Sequence, residues 1–284
     1  METLGTVRRP VRDLRPGDHA WLGYVSQEER RHVVGAFVRD GLLAREKVIC
    51  LGAGDELVPG VVGPPPETLL TVVPPARLCG GDGAPDPGTA MAALAAEVAA
   101  AEALGFRAIR VAADLTWALR GADGLDRLLC CERLLEQTAR PSAQVTVVCQ
   151  FDRAACSPDE LAAVGGAHAV LVDPDPEFED LVLRITRTFR PRGLALSGEL
   201  DASRHMVLDQ ALAMVMAGGH GAEIHLDLSG LTFIDLGALN MLAEVAARRA
   251  GHALVLDRMP AQLRAVMETV GWSMLPGLRL GVQG

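Results

Sequence analysis

The sequence predicts an α/β protein in two parts: a larger domain on a parallel sheet, then a smaller α/β domain. Three observations carry this. Apolar strand-like runs alternate with helical runs as far as residue 152. The acidic, Pro-containing stretch "DPDPEFED" (173–180) then interrupts the alternation. Beyond it, two strand-like runs follow one another directly before helices resume. A chain of 284 residues is also long for one domain. The expected boundaries are 1–173 for the first domain, 174–182 for a linker and 183–284 for the second domain.

Each element has its own warrant. "HAWLGYV" reads as a strand. "SQEERRHVVGAFVRDGLLAR" reads as an amphipathic helix with Ser26 and Glu29 spaced as a capping box, its apolar face carrying Val33, Val34, Phe37, Val38, Leu42 and Leu43. "KVICLGAG" and "ETLLTVVP" are strands, and "LCGGDGAPDPG" is a Gly/Pro loop. "TAMAALAAEVAAAEALG" is an Ala-rich helix, with Thr89 as its expected N-cap and Gly105 at its C-terminal end. "FRAIRVAAD", "GLDRLLCCERLLEQTA" and "AQVTVVCQFD" follow as strand, helix and strand. In the second part, "VLRITRTFRP" and "GLALSGELD" form a hairpin. "ASRHMVLDQALAMVMAGG" is a helix stopped at Gly218-Gly219, "EIHLDLS" a strand and "LGALNMLAEVAARRAG" a helix. "ALVLD" is a strand, "PAQLRAVMETVG" a helix opened by Pro260, and "GLRLGV" a closing strand.

Composition excludes several functions. The net charge is -9, while the stretch from Leu183 onward, with 10 basic and 9 acidic residues, is close to neutral. The acidity thus lies in the first part, and without a Lys/Arg cluster it argues against direct nucleic-acid binding. No apolar run approaches the ~20 residues that span a bilayer, and no signal peptide opens the chain, so no membrane association and a cytoplasmic location are expected. The six cysteines match no zinc spacing and read as buried, reduced thiols. No metal and no cofactor is expected.

The second part carries "LSGELDAS" (Leu196–Ser203), "HLDLSGLTFID" (His225–Asp235) and "LVLDRMPAQLRAVMETVG" (Leu254–Gly271). With this order of elements it resembles a STAS domain of the bacterial anti-sigma-factor antagonist type. The resemblance implies docking on an anti-sigma factor, a serine kinase in many cases, or on a related regulator. It also implies a Ser or Thr just after the "FID" turn, whose phosphorylation adds about -1.5 to -2 charge and weakens docking. Here that position is Leu236, which has no hydroxyl, followed by Gly237. The expected partner-binding residues are Asp235, Leu236, Gly237, Ser229 and Leu239. Asp235 reads either as a helix cap or as a partner contact. Ser229 and Ser203 read as turn and helix-start residues, not as replacement phosphosites.

The first part carries "RPGDHAWLGY", "FVRDGLLAREKVICL", "GFRAIRVAADLTWAL", "CERLLEQ", "VTVVCQFD" and "HAVLV". Together they resemble the MEDS family of sensory domains, itself similar to RecA-like ATPases of the circadian-clock type. That likeness implies a RecA-like fold for the first domain. The resemblance departs at Cys131, where an aromatic is usual, and at Arg45, where a glycine is usual. The phosphate loop would fall on "GYVSQEER" (23–30), which has one glycine, no Lys and two acidic residues, so no P-loop is present. "GAG" (52–54) reads as a strand-end turn. Parallel sheets bind ligands beyond their carboxyl edge, and the expected ligand-binding residues are His19, Tyr24, Asp114, Gln150, Asp152 and His168. His19 and His168 stand too far apart in sequence to suggest a metal pair, and each, like Gln150, reads equally as a hydrogen-bonded core group.

The sequence therefore points to a non-enzymatic signal-transduction protein acting in transcription regulation in bacteria. Its first domain would sense a small molecule or a partner, and its STAS domain would bind an anti-sigma factor or related regulator. Two alternatives stand beside it: a degenerate nucleotide-binding, ATPase-like enzyme, and a scaffold subunit of a larger regulatory complex.

Overall fold

A computed structural model describes residues 6–52, 58–59, 61, 68–81, 83–120, 123–142, 144–217, 223–248, 253–269, 271, 275 and 277–281. The chain divides into two compact units between Pro174 and Asp175. The Gly218-Gly219 helix stop and all of the "GAG" turn but Gly52 lie outside the described residues.

The first unit holds a seven-stranded sheet in the order β1-β7-β2-β6-β5-β3-β4, in which every pairing is parallel. Its strands are β1 (Val7–Pro10), β2 (His19–Tyr24), β3 (Lys47–Leu51), β4 (Leu70–Val73), β5 (Ile109–Asp114), β6 (Val145–Asp152) and β7 (Val170–Asp173). Its helices are α1 (Gln27–Leu43), α2 (Pro87–Ala103), α3 (Gly124–Ser142) and α4 (Pro158–Gly166). Central strands such as β3 and β6 are mostly apolar and buried almost end to end because both faces are covered. On one face Val33, Val34, Phe37 and Val38 of α1 pack over Ala20, Leu22, Val48 and Val148. On the other, Leu94 and Ala101 of α2, Leu128 and Leu135 of α3 and Val164 of α4 pack over Ile49, Val111, Val147 and Phe151. Within β2 the alternation sends Ala20, Leu22 and Tyr24 toward α1.

Local chemistry explains the ends. Ser26 accepts from the Glu29 N–H at 3.1 Å, while Glu29 accepts the Val25 N–H at 2.6 Å, one residue short of a reciprocal capping box. Arg45, where glycine is usual, has φ 57°, a left-handed conformation that glycine adopts at no steric cost. The N-cap of α2 is Asp86, which accepts from the Thr89 N–H at 2.6 Å; Thr89 is inside the helix, because Pro87 suits the first helical position. β1 and α4 were not anticipated. α4 carries a capping box at Ser157 and Glu160, but the helix is short.

The second unit holds a six-stranded sheet in the order β13-β12-β11-β10-β9-β8. The strands are β8 (Pro176–Glu179), β9 (Leu183–Phe189), β10 (Arg192–Leu200), β11 (Glu223–Ile234), β12 (Ala253–Asp257) and β13 (Leu278–Leu280). β9 and β10 form the expected antiparallel hairpin, and β10 to β13 pair in parallel. Helices α5 (His205–Ala217), α6 (Leu236–Arg248) and α7 (Ala261–Thr269) contribute to a single core with the sheet, through Leu208, Leu212, Ala238, Leu242 and Met267. In β11, Ile224, Leu226 and Leu228 are buried, while Glu223, His225 and Asp227 are only partly covered: period 2 with one face in the core.

Two expectations are corrected here. The stretch 174–182 is not wholly a linker, since Pro176–Glu179 forms β8, an edge strand antiparallel to β9. Pro176 is tolerated because it is the first residue of an edge strand, where no ladder donor is required of it. Ser229 is not a turn residue, because β11 runs on to Ile234, absorbing the irregular stretch through register shifts against β10.

Candidate functional site

Three places gather chemistry-bearing residues. The first is the carboxyl edge of the first sheet, where Tyr24, Asp114, Gln150 and Asp152 end or nearly end β2, β5 and β6. Arg30, from the first turns of α1, organises them. Its guanidinium lies 3.0 Å from Asp114 Oδ2 and donates to Gln150 Oε1 at 3.0 Å, and it sits 5.8 Å from the Tyr24 ring centroid. Burial is the main cause raising the Asp114 carboxyl above its ordinary range, with Arg30 opposing it. Burial likewise raises Tyr24, and the Asp114 charge adds to it. The Asp152 carboxylate accepts the Ala154 N–H at 2.8 Å and so shapes the turn that follows β6. The cleft lined by Arg30, Asp114, Gln150, Val58 and Pro59 measures about 10 Å³, room for about one water molecule. The N-terminus of α1, where a nucleotide-binding relative would cradle phosphate, has Glu28 and Glu29 in its first turn. Those carboxylates repel an anion where the helix would otherwise attract one.

The second place was not foreseen as a unit. His19 and His168 are not at the carboxyl edge: His19 opens β2 and His168 precedes β7, both at the amino ends. Their rings stand 4.3 Å apart. Between them are Glu132 of α3 and Cys149 of β6. Glu132 Oε2 lies 3.0 Å from His19 Nε2, 3.2 Å from His168 Nε2 and 3.3 Å from Cys149 Sγ, and His19 Nε2 is 3.2 Å from that sulfur. All four residues are buried. Burial works against the Glu132 charge, but its contacts with His168 and His19 outweigh that and hold the carboxyl at about 2. Burial opposes a charge on His168 as well, yet the Glu132 carboxylate leaves the ring's pKa above the ordinary histidine value. The Cys149 thiol is pushed well up, first by burial and then by Glu132. The reading of the cysteines as buried thiols holds for Cys50 and Cys149, whereas Cys79, Cys130, Cys131 and Cys156 are partly exposed; all six are free.

The third place is the start of α6. Asp235 Oδ1 accepts the Ala238 N–H at 2.7 Å, an N-cap bond, and faces His205 Nε2 at 2.7 Å. Asp235 is thus a helix cap whose capping oxygen also faces a histidine of the same unit. Leu236 is 61% exposed and Phe233 50% exposed. They edge a groove of about 480 Å³ whose lining also includes Leu231, Ile234, Leu239, Pro260 and Leu263. Leu239 is buried, so it supports the groove floor and presents little surface. A Cβ at Gly237 would stand 2.6 Å from His205 Cε1, so glycine leaves room for that ring. Ser229 is exposed within β11, its N–H donating to Asp227 Oδ1 at 3.0 Å.

A seven-stranded parallel sheet without a phosphate loop, followed by a six-stranded STAS-like sheet, sets the terms for comparison. The family model described as MEthanogen/methylotroph, DcmR Sensory domain (MEDS) matches residues 18–169, more than half of the chain. The chain belongs to the MEDS family. A second model, described as "Mlab, STAS domain", matches residues 183–278. The architecture is thus a MEDS domain followed by a STAS domain, an arrangement that suggests a regulatory role. No curated protein matches the chain. Among the described residues, no helix is long and apolar enough to cross a membrane.

The MEDS domain contains both the carboxyl-edge group and the buried His/Glu/Cys group. Two residues of the buried group, Glu132 and Cys149, were visible only as parts of "CERLLEQ" and "VTVVCQFD". Their signal was an acidic residue on a face of α3 that is otherwise Leu-rich, and a thiol in a β-strand buried on both sides.

Proposed function

We propose that the protein is a non-enzymatic, cytoplasmic regulator of bacterial transcription. In this reading its STAS domain docks an anti-sigma factor, or a related regulatory protein, through the apolar tip at Phe233 and Leu236. The MEDS domain supplies the sensory input, from a small molecule or a partner. The observation that carries the reading is Leu236 itself: a large apolar side chain, 61% exposed, at the helix start and the lip of an apolar groove. Exposed apolar surface beside a groove favours protein contact. A side chain with no oxygen cannot be esterified, so docking is set without phosphate at this position. Nucleotide turnover is disfavoured by the carboxylates of Glu28 and Glu29 at the start of α1. A scaffold role has no separate observation in its favour.

The test is affinity purification of the full chain from its native cells, with mass spectrometry of both partners and phosphosites. The reading expects an anti-sigma-type regulator among the partners and no phosphate on Ser229 or Ser203. Recovery of no such regulator under any growth condition, or phosphate on either serine that controls capture, contradicts it.

A further inference from the structure

The buried group in the MEDS domain gathers four side chains that can each ligate a metal, their ligand atoms all within 4.8 Å of one another. Three groups, His19 Nε2, His168 Nε2 and Cys149 Sγ, lie within 3.3 Å of a single oxygen, Glu132 Oε2. Glu132 Oε1, His19 Nδ1 and His168 Nε2 are buried with no hydrogen bond among the described residues. His168 Nδ1 bonds the Val164 carbonyl at 2.9 Å. A carbonyl only accepts, so Nδ1 carries a proton, and Nε2, which faces Glu132, is the nitrogen that becomes a metal ligand once its own proton is gone. A divalent cation at the centre would take the place of the proton between Nε2 and the carboxylate oxygen 3.2 Å away. His19 Nε2 faces the same carboxylate oxygen at 3.0 Å, and its Nδ1 stands 3.6 Å from Glu136 Oε2.

We propose that His19, Glu132, Cys149 and His168 form a four-ligand site for a divalent transition metal of borderline softness, zinc in the first place. The ligand set is two imidazoles, one thiolate and one carboxylate, the mixture zinc accepts in tetrahedral sites. Ligand bonds of about 2.0–2.3 Å put tetrahedral ligand atoms about 3.3–3.7 Å apart. Four contacts here are 3.0 to 3.3 Å, and all the ligand atoms lie within 4.8 Å of one another. A small outward relaxation admits one ion. Binding releases to solvent the Cys149 proton, which leaves Sγ as thiolate, and any proton held on the ligating imidazole nitrogens; no electron is transferred. The Val164 carbonyl orients His168, the usual support for a metal-bound imidazole, while the Glu136 carboxylate stands 3.6 Å from His19 Nδ1. Four protein ligands leave no open position, so the site is structural. It ties β2, α3, β6 and the segment entering β7 into one layer. The assignment does not depend on the function proposed for the STAS domain.

The test uses the purified full chain, stripped with a chelator and titrated with Co²⁺ and Zn²⁺. One equivalent of Co²⁺ is expected, with tetrahedral visible bands and a thiolate-to-cobalt charge-transfer band. That band disappears in Cys149→Ser and stays in Cys50→Ser and Cys131→Ser. Glu132→Gln and His168→Gln weaken binding by at least about tenfold. Variants that do not fold are replaced by X-ray absorption on the unaltered zinc-loaded protein. One sulfur and three nitrogen or oxygen neighbours support the site. No saturable uptake, a first shell without sulfur, or a charge-transfer band that survives Cys149→Ser overturns it, leaving the four residues as a hydrogen-bonded core cluster.

Discussion

At residue 236 the proposed function turns on one exposed side chain without a hydroxyl. Phosphorylation acts by adding charge to a hydroxyl, and leucine offers none. Asp235, one residue earlier, is a fixed anion at the helix start, but its Oδ1 is engaged by the Ala238 N–H and His205. Asp235→Ala is therefore expected to cost about 1 kcal/mol of stability in urea unfolding, the usual value of an N-cap, and Asp235→Asn much less. The identity of residue 236 was legible in the sequence because the flanking "FID" and Gly237 fix the position. The partners of Asp235 were not. His205 lies thirty positions earlier on another helix, and only the fold brings the ring to the cap.

At the scale of elements, tight backbone approach and turn capping hold the STAS sheet together. A Cβ at Gly193 would collide with the His225 carbonyl oxygen of the paired strand β11. Gly193→Ala should destabilise by about 3 kcal/mol in denaturant unfolding, since a backbone atom cannot move aside like a flexible side chain. Asp180 closes the turn from β8 to β9. It accepts the Val182 and Leu183 N–H groups at 2.8 and 2.7 Å and pairs with Arg204 at 2.9 Å. Its pKa is lowered to about 2, chiefly by those backbone bonds. A depressed carboxylate contributes stability above its unfolded pKa and loses it as pH falls through the folded value. The wild type should therefore lose more stability than Asp180→Asn between about pH 4 and pH 2, measured by thermal unfolding across that range. This turn follows β8, which the composition had suggested was linker. An edge strand opened by Pro176 has too short a pattern to stand out from a connection.

At the scale of the whole molecule, two sheets of different build share one chain. Alternation of strand and helix made the parallel sheet of the MEDS domain legible, because burial on both faces writes mostly apolar stretches such as Val145 to Phe151 directly into the sequence. The changed order beyond residue 180 did the same for the STAS domain. What stayed hidden was convergence across elements. His19, Glu132, Cys149 and His168 come from β2, α3, β6 and the approach to β7, at spacings no motif contains. Tyr24, Asp114 and Gln150 did meet at one sheet edge, but Arg30, which joins them, lay within a helix read only for its apolar face.

The most direct measurement of the central claim is the affinity of the captured regulatory partner for the full chain and for Leu236→Asp. A carboxylate there imitates part of the charge that phosphate would bring and removes the apolar contact. The account expects binding to weaken at least about tenfold, about 1.4 kcal/mol, with folding stability changed by less than about 0.5 kcal/mol because the residue is exposed. Equal affinity for both proteins would mean that the partner docks elsewhere, and the reading of this tip as the docking surface would be wrong.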